Sequence, residues 1–186
     1  MPFDPTAYGK FVAELLALDG NGARLMPLAA GRCSSEEARR RLADSLAKVL
    51  FPGAWAPEAA LSGLWLYFSC LEESHSLSQG IHTSDGSFWH GIMHRQEPDA
   101  GNAGYWFRRV GNHPVFPILR AEAAGIAARI PEAAVSFEDA WDPFAFIDLC
   151  EEARHHPGSP QERLALEVQR AEWQVLFDYC ARSGGR

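Results

Sequence analysis

Several signals that sort proteins into functional classes are missing from this chain of 186 residues. It has no basic block: 17 lysines and arginines against 24 acidic residues leave a formal charge of −7. Spread acidic charge lacks the positive footprint by which nucleic acid is held, so nucleic acid is not an expected partner. No apolar run reaches the roughly 20 residues that a membrane-spanning helix needs. The most apolar stretch, LSGLWLYFSCL at 61–71, is too short, and no membrane association is expected. A glycine-rich phosphate loop and a G-x-S-x-G elbow are both absent, which removes the P-loop, Rossmann and α/β-hydrolase readings. No internal repeat or low-complexity segment is found, so a solenoid is not supported.

Cysteine is also scarce. Cys33, Cys70, Cys150 and Cys180 are widely spaced and form no C-x-x-C pair. The opening MPFDPTAYGK lacks the basic and apolar regions of a signal peptide. Reduced thiols and a cytoplasmic location are therefore the expectation. Cys70 stands close to Glu72 and His75, but a thiol inside an apolar helix is more often inert than nucleophilic.

With 47% hydrophobic and 22% charged residues, the chain has the composition of a packed globular protein. Its length suits one domain over 1–186, with 183–186 (SGGR) expected as a frayed end. Two-residue alternation and Asn-Gly or Asp-Gly hairpin turns are missing, whereas helix punctuation is everywhere. The expected fold is all-α, a bundle-like array of about eight helices.

The spacing predicts a helix from Asp4 or Pro5 to Leu18, ended by DGNG. Ser34 with Glu37 forms a capping box that opens a second, to about Leu50. Pro57 opens a third, apolar nearly all round, to about Leu77. Ser84 or Asp85 caps a short helix through Arg95, and Asp99 caps another through Arg109, ended by Gly111. Three more are opened by His113-Pro114, Asp142-Pro143 and Ser159-Pro160, and run to about Ile130, His155 and Arg182.

Against this ordinary background, residues 87–116 are unusual: SFWHGIMHRQEPDAGNAGYWFRRVGNHPVF. His90 and His94 lie four apart, so on a helix their imidazoles leave one face a turn apart and can share a metal ion or an anion. The H-E-x-x-H pattern would place a glutamate directly after the first histidine, but that position is Gly91, and the metalloprotease reading loses its base. A third ligand is open among Glu97, His113 and the Glu72/His75 end of the third helix. Two imidazoles with a carboxylate suit zinc or non-haem iron. Glu72-x-x-His75 and Glu152-x-x-His155 each match half of a di-iron motif, but both fall at predicted helix ends and the remaining glutamates are missing.

His90 and His94 are thus the candidate metal ligands or acid/base groups, since histidine titrates near neutral pH, with Glu97 as the third catalytic candidate. Glu97 or Glu72 would orient them. Arg108 or Arg109, with Arg95 just upstream, would hold an acidic small molecule, because guanidinium binds carboxylate or phosphate in a forked geometry. Trp89, Tyr105 and Trp106 would form walls, and His75 and His113 complete the candidate set. The competing reading is a non-catalytic interaction protein in which the same side chains form an internal polar network.

The run FWHGIMHRQEPDAGNAGYWFRRVGNHPVF resembles the signature of a family of uncharacterised bacterial proteins, F-W-H-G-I-M-H-R-x-E followed by Y-W-F-R-R-V-G-x-H-P-V-F. The resemblance covers about a sixth of the chain. It implies positions only: Trp89, His90, His94, Arg95, Glu97, Tyr105, Trp106, Arg108, Arg109 and His113 stand where the signature has its polar and aromatic residues. It implies no activity.

Overall fold

A computed structural model describes residues 3–137 and 139–182. Its secondary structure is helical, with no strand among the described residues. The expected frayed end at 183–186 lies outside them. No described helix is long and apolar enough to cross a membrane.

The helices are α1 (Lys10–Leu16), α2 (Glu36–Ala43), α3 (Ala47–Leu50), α4 (Pro57–Tyr67), α5 (Leu71–Ser78), α6 (Ser84–Gln96), α7 (Ala100–Val110), α8 (Phe116–Arg129), α9 (Pro143–Arg154) and α10 (Pro160–Ala181). They outnumber the eight expected because the second and third predicted helices are each split in two, while the first is shortened. The first is interrupted at Gly9, whose φ of 90° is not helical, so a 3-10 turn precedes α1. The second stops at Asp44 before the one-turn α3. The third breaks at Phe68–Cys70, where Ser69 takes a φ of 57°. No glycine or proline marks that last break, which is why the spacing runs straight through it. The second helix also starts one residue later than expected: Ser35, not Ser34, caps it, accepting from the Ala38 amide.

Packing explains the arrangement. From Ala59 to Tyr67 every residue of α4 is buried, so this short helix sits at the centre, as its all-round apolarity predicts. The long α10 crosses it, and the Trp173 Nε1–H donates to the Gly63 carbonyl at 2.7 Å. Gly63 also admits the Trp89 ring: a Cβ there would lie 2.7 Å from it. On α6, Gly91 lets the Phe107 ring of α7 approach, and the two helices pack as a tight antiparallel hairpin. Helix α6 thus has α5 on one flank and α7 on the other.

The expectation of four reduced thiols is corrected. Cys33 and Cys70 form a disulfide, joining the segment before α2 to the start of α5. A 37-residue separation carries no spacing signal, which is why the pairing is invisible in the sequence. The compartment expectation loses the premise of free thiols with it. Cys150 and Cys180 are free and buried. Burial pushes the Cys150 thiol up to about 11 and raises that of Cys180 as well, so both remain inert thiols near neutral pH.

Candidate metal centre

Thr83 caps α6 by accepting from the Gly86 amide, and the helix runs without a break through both histidines. His90 and His94 therefore leave the same face, with ring centroids 4.8 Å apart. The break before α5 swings His75 onto this face, its ring 4.7 Å from that of His90 and 5.5 Å from that of His94. One nitrogen from each of the three rings lies within 4.8 Å of the other two. On the α7 side, the indole of Trp106 covers His90 with centroids 4.1 Å apart. His90 is consequently 1% exposed and His94 7% exposed, while His75 is half-buried.

Hydrogen bonds decide which nitrogen is free in the two α6 rings. The Ser78 hydroxyl donates to the Ser74 carbonyl at 2.7 Å. With its one hydrogen used there, it accepts from His90 Nδ1–H, 2.8 Å away. The serine is held in turn by a buried chain: Ser74 and Ser62 hydroxyls are 3.0 Å apart, linking α5 to α4. Glu97, an acceptor only when ionised, takes the Nδ1–H of His94 at 3.0 Å. Both α6 rings therefore present Nε2 as a bare lone pair, and no group among the described residues hydrogen-bonds to it. A metal-binding histidine needs this arrangement, with one nitrogen fixed by an acceptor and the other turned inward. His75 has no side-chain hydrogen bond among the described residues and is held by ring contacts with His90 and His94.

Electrostatics keeps the two α6 rings neutral. Burial, helped by the neighbouring His94 and His75, pushes the His90 imidazolium down to about 3. Burial also lowers His94, against the opposing pull of Glu97. Neutral imidazole is the form that ligates metal.

The structure brings together His75, His90, His94, Glu97 and Trp106 of the candidates read from the sequence. Tyr105 and Arg109 stand at the edge: the Arg109 guanidinium lies over the Trp106 ring at 5.2 Å and the Tyr105 ring at 5.9 Å. The remaining candidates are placed elsewhere. Trp89 is fully buried in the core against Gly63. Arg95 leaves α6 toward α9 and α10, where it forms a buried ion pair with Glu172 and lies 4.4 Å from the centre of the Phe146 ring. Arg108 lines a different cleft, with Phe116, Trp141 and Phe144. His113 donates to Asp85 at 3.0 Å and accepts from the Val115 amide, fastening the start of α6 to the turn before α8. Glu72 is exposed at a groove shared with Leu61 and Trp65. Glu152 pairs with His156 on the surface.

His75 was one of several possible third ligands in the sequence. Only the unpunctuated turn at 68–70 reorients it, and no residue-level signal marks that turn. Ser78, which sets the His90 tautomer, had no signal beyond its place one turn after Ser74. No known family profile matches the chain, and neither a curated protein nor a solved structure is significantly similar to it.

Proposed function

We propose that the chain binds one divalent transition metal, zinc or ferrous iron, through His75, His90 and His94, and keeps coordination positions open for exchange. One observation carries this: a ring nitrogen from each of three imidazoles lies within 4.8 Å of the other two, and in His90 and His94 a hydrogen bond at Nδ1 leaves Nε2 for a metal. Tetrahedral ligation at the usual zinc–nitrogen distance needs donors about 3.4 Å apart. Small side-chain adjustments on binding supply that closure, most readily at the half-buried His75. Three nitrogen donors with room for a fourth ligand is the pattern of exchangeable rather than structural sites. The alternative polar-network reading requires each buried ring to satisfy both nitrogens, and these rings satisfy one.

The test is metal content after purification, zinc loading and exhaustive dialysis. The account expects one equivalent of metal per chain in the wild type and well under one after dialysis in His75→Ala, which keeps two of the ligands, refills when zinc is added back in excess, and leaves the circular dichroism spectrum unchanged. Folded wild-type protein that retains no zinc, iron or cobalt would overturn it.

A further inference from the structure

We infer that the open position of the metal centre takes a small oxyanion, a carboxylate or a phosphate, and that Arg109 helps to hold it. The inference rests on the metal reading above. Imidazole is an uncharged donor, so three of them leave the full charge of a bound dication at the metal. The acidic group hydrogen-bonded to the set is Glu97, and its carboxylate is engaged with His94 Nδ1 and 41% exposed on its side chain. Asp99, the other carboxylate whose charge reaches His94, is turned toward the Asn102 amide and side chain as the cap of α7. One carboxylate at one remove leaves net positive charge beside rings that are almost completely buried, and a charge in such a place draws an anionic partner.

The surroundings select the kind of anion. His90 is covered on the α7 side by Trp106, so access lies beside His75, the half-buried member. A compact oxygen donor is the ligand that so enclosed a centre suits. Arg109 brings a second positive charge to the rim, on the Trp106 ring that covers His90. Its recorded contacts are the faces of Trp106 and Tyr105 and a 3.4 Å approach to the Tyr105 hydroxyl, and no carboxylate pairs with it among the described residues. A guanidinium resting on aromatic rings, with its forked donors unspent, is suited to a carboxylate or phosphate. Arg108, one residue earlier, is directed to the other side of α7 and takes no part.

The experiment uses the full chain loaded with cobalt(II), whose visible spectrum reports its coordination, titrated separately with sodium acetate and inorganic phosphate. A saturable spectral change with acetate assigns a carboxylate, and one with phosphate assigns a phosphoryl group. In either case, Arg109→Ala, an exposed substitution, should weaken the anion about tenfold while retaining cobalt. If cobalt is bound and neither anion perturbs the spectrum, the oxyanion inference fails and the metal reading stands. If both proteins respond with equal affinity, Arg109 has no part. If cobalt is not bound at all, the metal reading fails and this one with it.

Discussion

At the residue scale, the centre depends on acceptors that fix ring orientation. Removing the Ser78 hydroxyl leaves the His90 Nδ1–H buried without a partner, a loss of about 1–3 kcal/mol. Ser78→Ala should therefore lower stability by that amount in urea denaturation and weaken zinc about 10- to 100-fold, as loss of a second-sphere partner does. Unchanged zinc affinity in a destabilised variant would reduce Ser78 to a packing residue. His90 also makes a prediction about pH in the metal-free protein. Its folded-state value is lowered to about 3 by burial against Trp106, His75 and His94, from 6.5 in the unfolded chain. The stability it contributes is present above pH 6.5 and is lost as the pH falls from there toward 3, because the unfolded state takes up the proton first. Urea midpoints measured between pH 7.5 and 4 should fall more steeply for the wild type than for His90→Gln. Parallel curves would contradict the assignment.

At the scale of elements, α5 is the part whose placement makes or breaks the site. It is short, lacks a side-chain cap at Cys70, and is held by the Ser62–Ser74 contact, by the Arg39–Glu73 ion pair at 2.6 Å and by the Cys33–Cys70 disulfide. Closing a loop of that separation stabilises by about 4 kcal/mol on the chain-entropy account. The Cys33→Ser/Cys70→Ser variant should lose about 2–4 kcal/mol in chemical denaturation, and a reductant should affect the wild type alone. The α4–α6 crossing makes a second prediction. Gly63→Ala puts a methyl group 2.7 Å from the Trp89 ring and should cost about 1–3 kcal/mol through overpacking, read as a lower thermal midpoint.

Elements also show how far the sequence could be read. Helices with a capping residue and a proline or glycine boundary, such as α7, α9 and α10, fall within a residue or two of their expected ends, because a cap acts locally. The His90/His94 pair was legible for the same reason, being fixed by four residues of one helix. His75 and Cys70 were not, since the turn at 68–70 is set by packing and by a covalent partner 37 residues away. Arg95 was misleading in a different way. Arginine at a candidate site suggests a ligand anchor, whereas this one points through the opposite side of α6 into the core.

At the scale of the molecule, Arg95 joins three helices. Its pair with Glu172 on α10 is fully buried, the Gln169 side-chain oxygen accepts a second bond at 3.4 Å, and Phe146 of α9 lies against the guanidinium. The Glu172 carboxyl is raised by burial in spite of its partner. Breaking such a pair from one side leaves a buried ion and costs about 3–5 kcal/mol, whereas replacing both partners with apolar groups is often neutral. Arg95→Met should thus be strongly destabilised and Arg95→Met/Glu172→Leu largely restored in thermal denaturation. Both should still bind zinc where they are folded, since the clamp leaves α6 on the side away from the imidazoles. The molecule accordingly separates two tasks along one helix, with a structural ion pair on one side of α6 and a set of bare nitrogens on the other.

The most direct test of that division is X-ray absorption at the zinc edge of the loaded full-length protein, wild type and His75→Ala. The account predicts a first shell with three imidazole nitrogens and at least one exchangeable oxygen donor, reduced to two imidazoles in the variant. A shell containing sulfur, or one with imidazole scattering unchanged by the loss of His75, would contradict it.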